Sequence, residues 1–278
     1  MLRLIESSLA TIEQQLVLVA PPRATFPSSL RNVTRDTSQN RQLIQEMQTL
    51  RGSIYLEEGN VKRQDLTAEG RHQTAEDEQS WHLLMTDAAR RVRSCVLYLE
   101  HENATSIEHS RLRHCPLVER AESRTRVTSA VESEMARARN SGLRFAEVGG
   151  WAITKERRGT PEGLMMALAT YGLSRMLGGA LVITTANVAH SCSSILRRLG
   201  GSYLECDGTP IPSYFDPRYN TEIDLLRFDS RSPSRKYAEL IDTVMGKLAN
   251  VRIVGSSLDA MVHGFDSGRQ TAQQEYAA

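Results

Sequence analysis

The clearest alternation of apolar runs and polar breaks lies in residues 145–201. Residues 145–154 form an apolar run of strand length, interrupted by Gly149-Gly150. A glycine pair inside a strand marks a bulge or a place where a ligand approaches the backbone. A basic loop follows, Lys155-Glu156-Arg157-Arg158-Gly159, and then Thr160-Pro161-Glu162. Threonine suits an N-cap, proline the first helical position and glutamate the positive end of the dipole, so a helix is expected from Pro161. Leu164, Leu168 and Tyr171 recur at helical spacing, Leu173, Met176 and Leu177 widen that face, and Gly178-Gly179 stops it. Residues 180–185 read as a strand buried on both faces, and Asn187 is expected to open a second helix ending at Gly200-Gly201.

Elsewhere the pattern is coarser. Residues 1–20 read as an amphipathic helix stopped by Pro21-Pro22, residues 23–38 as a linker, and residues 39–59 as mostly helix. The polar stretch 60–80 reads as a long loop, suited to gating a substrate. Residues 81–86 and 92–100 predict a hairpin. Ser129-Ala130-Val131-Glu132 has a capping-box pattern and is expected to open a helix that closes at Gly142. Residues 222–228 are expected to be the last core strand, followed by a linker, an amphipathic helix over 237–248 and a polar, partly disordered tail over 255–278. The expected organisation is an N-terminal helix and linker at 1–38, an α/β (α+β) domain at 39–228, and a C-terminal helix and polar tail at 229–278.

Composition narrows the function. With 278 residues, 40% of them hydrophobic, the chain is long enough for one large domain with a real core. A net charge of +1 lacks the basic excess of a nucleic-acid binder. Cys95, Cys115, Cys192 and Cys206 form no C-x-x-C pair, which argues against a zinc or redox motif, and a disulfide framework is not expected. His72 and His82 lack ligand-like spacing, so no metal is expected. No apolar run approaches the roughly twenty residues of a membrane-spanning helix. The expectation is a soluble, cytoplasmic protein with no nucleic acid and no membrane span.

A strand leading into a loop with two arginines and then a free helix N-terminus makes an anion site, because unpaired N–H groups and the macrodipole both favour phosphate. The same residues also fit an ordinary crossover unit with a solvated charge run.

Residues 145–201 resemble the GNAT acyltransferase superfamily, whose signature is a strand, Arg/Gln-x-x-Gly-x-Gly/Ala opening a helix, a strand, and an Asn-led helix ending Leu-Gly-Phe. The matching positions are Arg158, Pro161, Gly163, Asn187 and Leu199-Gly200-Gly201. Pro161 stands in place of the first glycine, removing one backbone donor, and Gly201 in place of the aromatic residue. Upstream, residues 51–60 (RGSIYLEEGN), Gly70-Arg71-His72 and residues 77–84 look like the opening of the autoinducer-synthase and N-acyl amino acid synthase branch. That branch carries Glu-x-Ser-Arg on the strand before the phosphate loop. Here the residues are Glu147-Val148-Gly149-Gly150: the glutamate is kept, the serine and arginine are not.

The resemblance implies a GNAT-like mixed β-sheet flanked by helices, with extra N- and C-terminal helices. It implies an N-acyltransferase that moves a fatty acyl group from a carrier thioester to the amine of an amino acid or similar small molecule. No cofactor would be bound permanently; an acyl-phosphopantetheine thioester, on acyl carrier protein or coenzyme A, would be co-substrate. Glu147 would act as base or in acceptor recognition, and a glutamate in a partly buried cleft can have its pKa raised towards the first task. Backbone N–H groups at Gly150 and Trp151 would hold the oxyanion. Thr154, Arg157, Arg158, Gly159, Gly163 and Asn187 would bind the pantetheine and its phosphate. Leu196 stands where many GNAT enzymes place a tyrosine that protonates the leaving thiolate. Arg111, Arg113, Arg120, Arg124 and Arg126 would either meet an acidic carrier protein or form a solvated face. Met165, Met166 and Leu168 are candidates for lining the acyl cleft or for helix-face core. Ser191-Cys192-Ser193 lack a G-x-S-x-G elbow, so no covalent acyl-enzyme is expected. A short-chain acetyl-coenzyme A-dependent N-acetyltransferase and a non-catalytic module that binds an acyl carrier or partner remain open.

Overall fold

The computed structural model describes residues 9–10, 12–188 and 192–257. Its strands are β1 (Leu16–Val19), β2 (Val33–Arg35), β3 (Trp81–Thr86), β4 (Val92–His101), β5 (Arg144–Ile153), β6 (Ala180–Asn187), β7 (Ser202–Tyr203), β8 (Glu205–Cys206), β9 (Thr209–Pro210), β10 (Tyr214–Asp216), β11 (Thr221–Asp229) and β12 (Arg252–Gly255). The helices are α1 (Thr37–Glu57), α2 (Pro116–Glu119), α3 (Ala121–Asn140), α4 (Glu162–Met176), α5 (Cys192–Arg198) and α6 (Arg235–Leu248). Ten strands make one mixed sheet in the order β10-β11-β6-β5-β4-β3-β1-β12-β2, with β7 added to β11, and β8 and β9 form a separate hairpin.

Burial on both faces explains the central strands. Every residue of β1 and of β3 is buried, which is what helices on both sides of a sheet require. One face packs on α4 and α6 through Leu168, Leu173, Ile241 and Leu248. The other packs on α3 through Val127, Val131 and Met135 near β5, β6 and β11, and on α1 through Leu43 and Met47 near β1 and β4.

The structure corrects several expected boundaries. Residues 16–19, expected as helix, are β1, because four consecutive apolar residues fill both faces of the sheet. The segments on either side of residues 39–228 supply β1, β2 and β12 to the same sheet, with β12 lying parallel between β1 and β2. Helix α3 begins at Ala121 rather than Ser129, and its first buried residue is Val127. The polar turn before Val127 has no apolar period to reveal it. Strand β6 runs on to Asn187, which closes a strand instead of opening a helix. The expected tail from 258 onward lies outside the described residues. Among the described residues no helix is long and apolar enough to cross a membrane.

One irregularity positions everything that follows. Strands β5 and β6 pair in parallel only from Arg144–Ala180 to Val148–Thr184. Beyond that point β5 stays with β4 up to Ile153, while β6 stays with β11 up to Asn187. The Thr184 hydroxyl caps the last joint position by donating to the Val148 carbonyl at 2.8 Å. The sheet therefore divides along one seam.

Candidate active site

The seam opens into a cleft of about 1130 Å³ that reaches both faces of the sheet. Leu164, Ala167 and Leu196 line it on the α4 side, while Glu147, Arg111 and Tyr214 line it on the other. Its edge on β5 is the Gly149-Gly150 bulge, where the register against β4 shifts between Cys95 and Leu97. Gly150 has φ +63°, the left-handed region that glycine tolerates best. The carbonyls of Gly150 and Trp151 are taken by the Cys95 thiol at 3.3 Å and the Tyr55 hydroxyl at 3.1 Å.

Two arginines close on the bulge. A Cβ at Gly149 would lie 2.9 Å from Arg111 Nη1, and one at Gly150 would lie 3.2 Å from Arg51 Nη1. Arg51 is 1% exposed and held by Asp77 at 2.6 Å, with a second bond to the His72 carbonyl at 2.6 Å. Asp77 also accepts from Gln48 and from the Thr74 amide, both at 3.0 Å. Burial opposes its charge, but Arg51 and these bonds hold its carboxyl below the usual aspartate range. His72 is pushed down to about 4 by burial and by the Arg51 charge, so it is neutral near pH 7.

Glu147 is 4% exposed. Its Oε1 accepts the Arg111 amide at 2.9 Å and lies 3.0 Å from His101 Nε2. Burial pushes its carboxyl up, yet His101, Ser110 and the Arg111 charge outweigh burial and hold it below the ordinary glutamate value. A raised pKa is the opposite of what the structure has. Glu147 is a buried anion, suited to hold a cation and to accept a proton only as a bond forms.

The basic loop after β5 is anchored more tightly than its charge suggests. Glu162, 3% exposed, accepts from Arg157 Nε at 2.8 Å, Arg93 Nη2 at 2.9 Å and Ser94 Oγ at 2.8 Å. Arg158 meets Glu58 at 2.5 Å, and Lys155 meets Glu57. The first turn of α4 leaves the N–H groups of Gly163 and Leu164 without intrahelical partners, and both residues line the cleft.

The structure gathers Glu147, Gly150, Trp151, Arg157, Arg158, Gly159, Gly163 and Asn187 around this one cleft. Thr154 is not among its lining residues; its N–H bonds the Arg93 carbonyl at 3.0 Å. Met165, Met166 and Leu168 are core at 0–1% exposure, and Leu164 and Ala167 take the cleft-lining role. The basic segment does not act as one face: Arg111 turns to the bulge, and Arg113, Arg124 and Arg126 donate to nearby carbonyls. The sequence reading missed Arg51 and Asp77 as a pair, His101 beside Glu147, Glu162 under the loop, and Tyr55 and Tyr219, whose rings meet edge-on at 6.1 Å. The signal available was only that residues 51–60 and 77–84 belonged together. No group of three or more His, Cys, Asp or Glu residues able to hold a metal occurs among the described residues.

No family model matches the chain, and no curated protein matches it. Solved structures do. A CoA-dependent acyl-homoserine lactone synthase, BjaI, with SAM and isopentyl-CoA, aligns with TM-score 0.55 at 15% identity, covering 90% of this chain and 98% of that one. The same synthase with MTA gives the same values. FeeM, an N-acyl amino acid synthase from uncultured soil microbes, aligns with TM-score 0.43 at 11% identity, covering 70% of this chain and 88% of that one. The chain has the mixed-sheet fold of the acyl-homoserine lactone synthase.

Proposed function

We propose that the protein is an N-acyltransferase that moves an acyl group from a pantetheine thioester to the amine of an amino acid. The observation that carries this reading is the break between β5 and β6, which gives a cleft with an open helix N-terminus on one side and a buried carboxylate on the other. A thioester arm enters along the α4 side, with its phosphate at the first turn of α4. The amine approaches from the Glu147 side. Glu147 holds the ammonium, and the Arg111 guanidinium, which has no ion pair among the described residues, takes the acceptor's carboxylate. The ammonium first gives one proton to water in the cleft, which frees its lone pair; as the nitrogen then attacks the carbonyl carbon, the C–N bond forms, the C–S bond breaks, Glu147 takes the second proton from the nitrogen, and the thiolate leaves to be protonated by solvent. The β5 edge at the bulge faces the developing oxyanion.

The donor in this reading is an acyl carrier protein. Pro161 lacks an N–H, and Arg157 and Arg158 each hold a carboxylate already. A nearly neutral loop suits the single phosphate of a carrier-bound arm better than the several phosphates of coenzyme A. The fold relative named above is described as CoA-dependent, so both donors belong in the test.

Purified protein is incubated with matched acyl carrier protein and coenzyme A thioesters and an amino acid pool, and free thiol and product mass are followed. Thiol release with an N-acyl amino acid product is the expected result. Release from acetyl-coenzyme A alone would point to a short-chain acetyltransferase, and binding without release would leave a non-catalytic module. Glu147→Gln is expected to lower kcat by about 10²-fold or more, and unchanged turnover would remove its role.

A further inference from the structure

Four exposed cations gather at one rim of the cleft. Arg197 and Arg198 end α5, while Arg235 and Lys236 begin α6. The two helices meet there, because the Ser234 amide donates to the Leu199 carbonyl at 3.0 Å. Ile195, Arg198 and Tyr237 line the cleft itself, so the rim continues the path proposed for the thioester arm. Apolar surface lies among the charges, with Ile195 37% exposed. The Arg197 guanidinium stands 4.7 Å from the Tyr203 ring and the Lys236 ammonium 5.6 Å from the Tyr237 ring. None of the four cations has a carboxylate partner among the described residues. Carboxylates on the neighbouring segments are engaged elsewhere: Asp229 holds Arg231, Asp242 holds Arg175 and Glu205 holds Arg227.

Local stability does not explain these charges. The first turn of a helix favours acidic side chains, yet α6 has none there, and Ser234 makes no side-chain cap. Arg235 and Lys236 instead oppose the positive end of the helix. Bulk composition does not explain them either, since the whole chain carries a net charge of only +1. Unpaired cations set against a dipole, grouped around exposed apolar surface at a cleft mouth, suit an anionic partner with an apolar stripe.

We infer that this rim docks the protein body of the donor: an acidic helix of an acyl carrier protein lies across α5 and the start of α6. Ile195 meets its apolar stripe, and Arg197, Arg198, Arg235 and Lys236 meet its carboxylates. The inference rests on the acyl-transfer reading and gives that reading's carrier a place on the surface. From there the arm reaches the seam past Ile195 and Tyr237. Exposed charges of this kind set capture and partner choice, so the rim favours the carrier-bound donor over free coenzyme A thioester.

The test compares two donors that share one chain, octanoyl-acyl carrier protein and octanoyl-coenzyme A, by titration calorimetry. The double variant Arg235→Glu/Lys236→Glu is expected to bind the carrier about tenfold more weakly, with a much smaller change for coenzyme A. It puts carboxylates at the positive end of α6, so its Tm should hold or rise, which separates lost docking from lost fold. Arg197→Glu/Arg198→Glu should give the same loss from the other helix, and Arg41→Glu, at an exposed arginine of α1, should leave the carrier's affinity as it was. Unchanged carrier affinity in both double variants would overturn the inference. So would an equal loss in Arg41→Glu, which makes the effect one of bulk charge, or an equal loss for coenzyme A, which gives the rim to nucleotide phosphates. Thiol release in the same samples reads the other claim: carrier docking on this rim without turnover removes the transferase reading and keeps the surface, while turnover of coenzyme A thioester without carrier binding does the reverse.

Discussion

At the scale of single residues, the site is organised by buried charges that hold one another. Arg51 and Asp77 are both essentially inaccessible, at 2% and 1% side-chain exposure. Removing one partner strands the other, which costs about 3–5 kcal/mol, a large part of a typical domain's stability. Asp77→Asn is therefore expected to lower the urea midpoint sharply, and a shift of less than about 1 kcal/mol would show that the pair is not buried in solution. The pH response follows from directions. Asp77 is held below its unfolded value of 3.8, so its contribution is complete above that pH and is lost as pH falls through the lower native value. His72 sits at about 4 against 6.5 unfolded, so the unfolded chain takes up that proton first and stability declines as pH falls from 6.5 towards 4. His72→Gln should flatten that limb of a urea midpoint plotted against pH.

At the scale of elements, two glycines and one glutamate set the geometry. Gly150→Ala forces a left-handed alanine, costing roughly 1–2 kcal/mol, and presses on Arg51 Nη1. The urea midpoint should fall by about that amount, and turnover should fall with it because the bulge moves. A Cβ at Gly52 would stand 2.2 Å from the Gly70 carbonyl oxygen, so Gly52→Ala should detach the 60–80 segment from α1 and expose it to limited proteolysis. Glu162→Gln weakens the hold on Arg157 and Arg93. The KM for the donor is expected to rise about tenfold, close to 1.4 kcal/mol, with a smaller change in kcat; a larger effect on kcat would place Glu162 in the chemistry. The hairpin of β3 and β4, the glycine bulge, α4 and its stop at Gly178 were legible in the sequence, because each carries its own local signal of period, cap or glycine. The start of α3 and the strand β1 were not: one is polar until it meets the core, and the other is four residues long.

At the scale of the whole molecule, the sheet is closed by residues far apart in the chain. Strand β12 runs between β1 and β2, and Ile253 and Val254 are fully buried there. Ending the chain at Asn250 should remove cooperative unfolding, seen as the loss of a sigmoidal thermal transition by circular dichroism. A truncated protein that still unfolds cooperatively would show that β12 is dispensable.

The sequence by itself determined the mixed α/β character, the succession of strand, basic loop and helix after residue 145, and Glu147 beside a Gly-Gly bulge. These are local properties, written in spacing and residue type within a few turns. Only the tertiary structure decided that β5 and β6 part after Val148, that Arg51 and Arg111 converge on the bulge, and that Glu147 is held below, not above, its ordinary pKa. Those outcomes depend on which groups come within about 3 Å across long stretches of chain. Burial and neighbouring charge push a carboxylate in opposite directions, and the winner is set by contacts that no local pattern encodes.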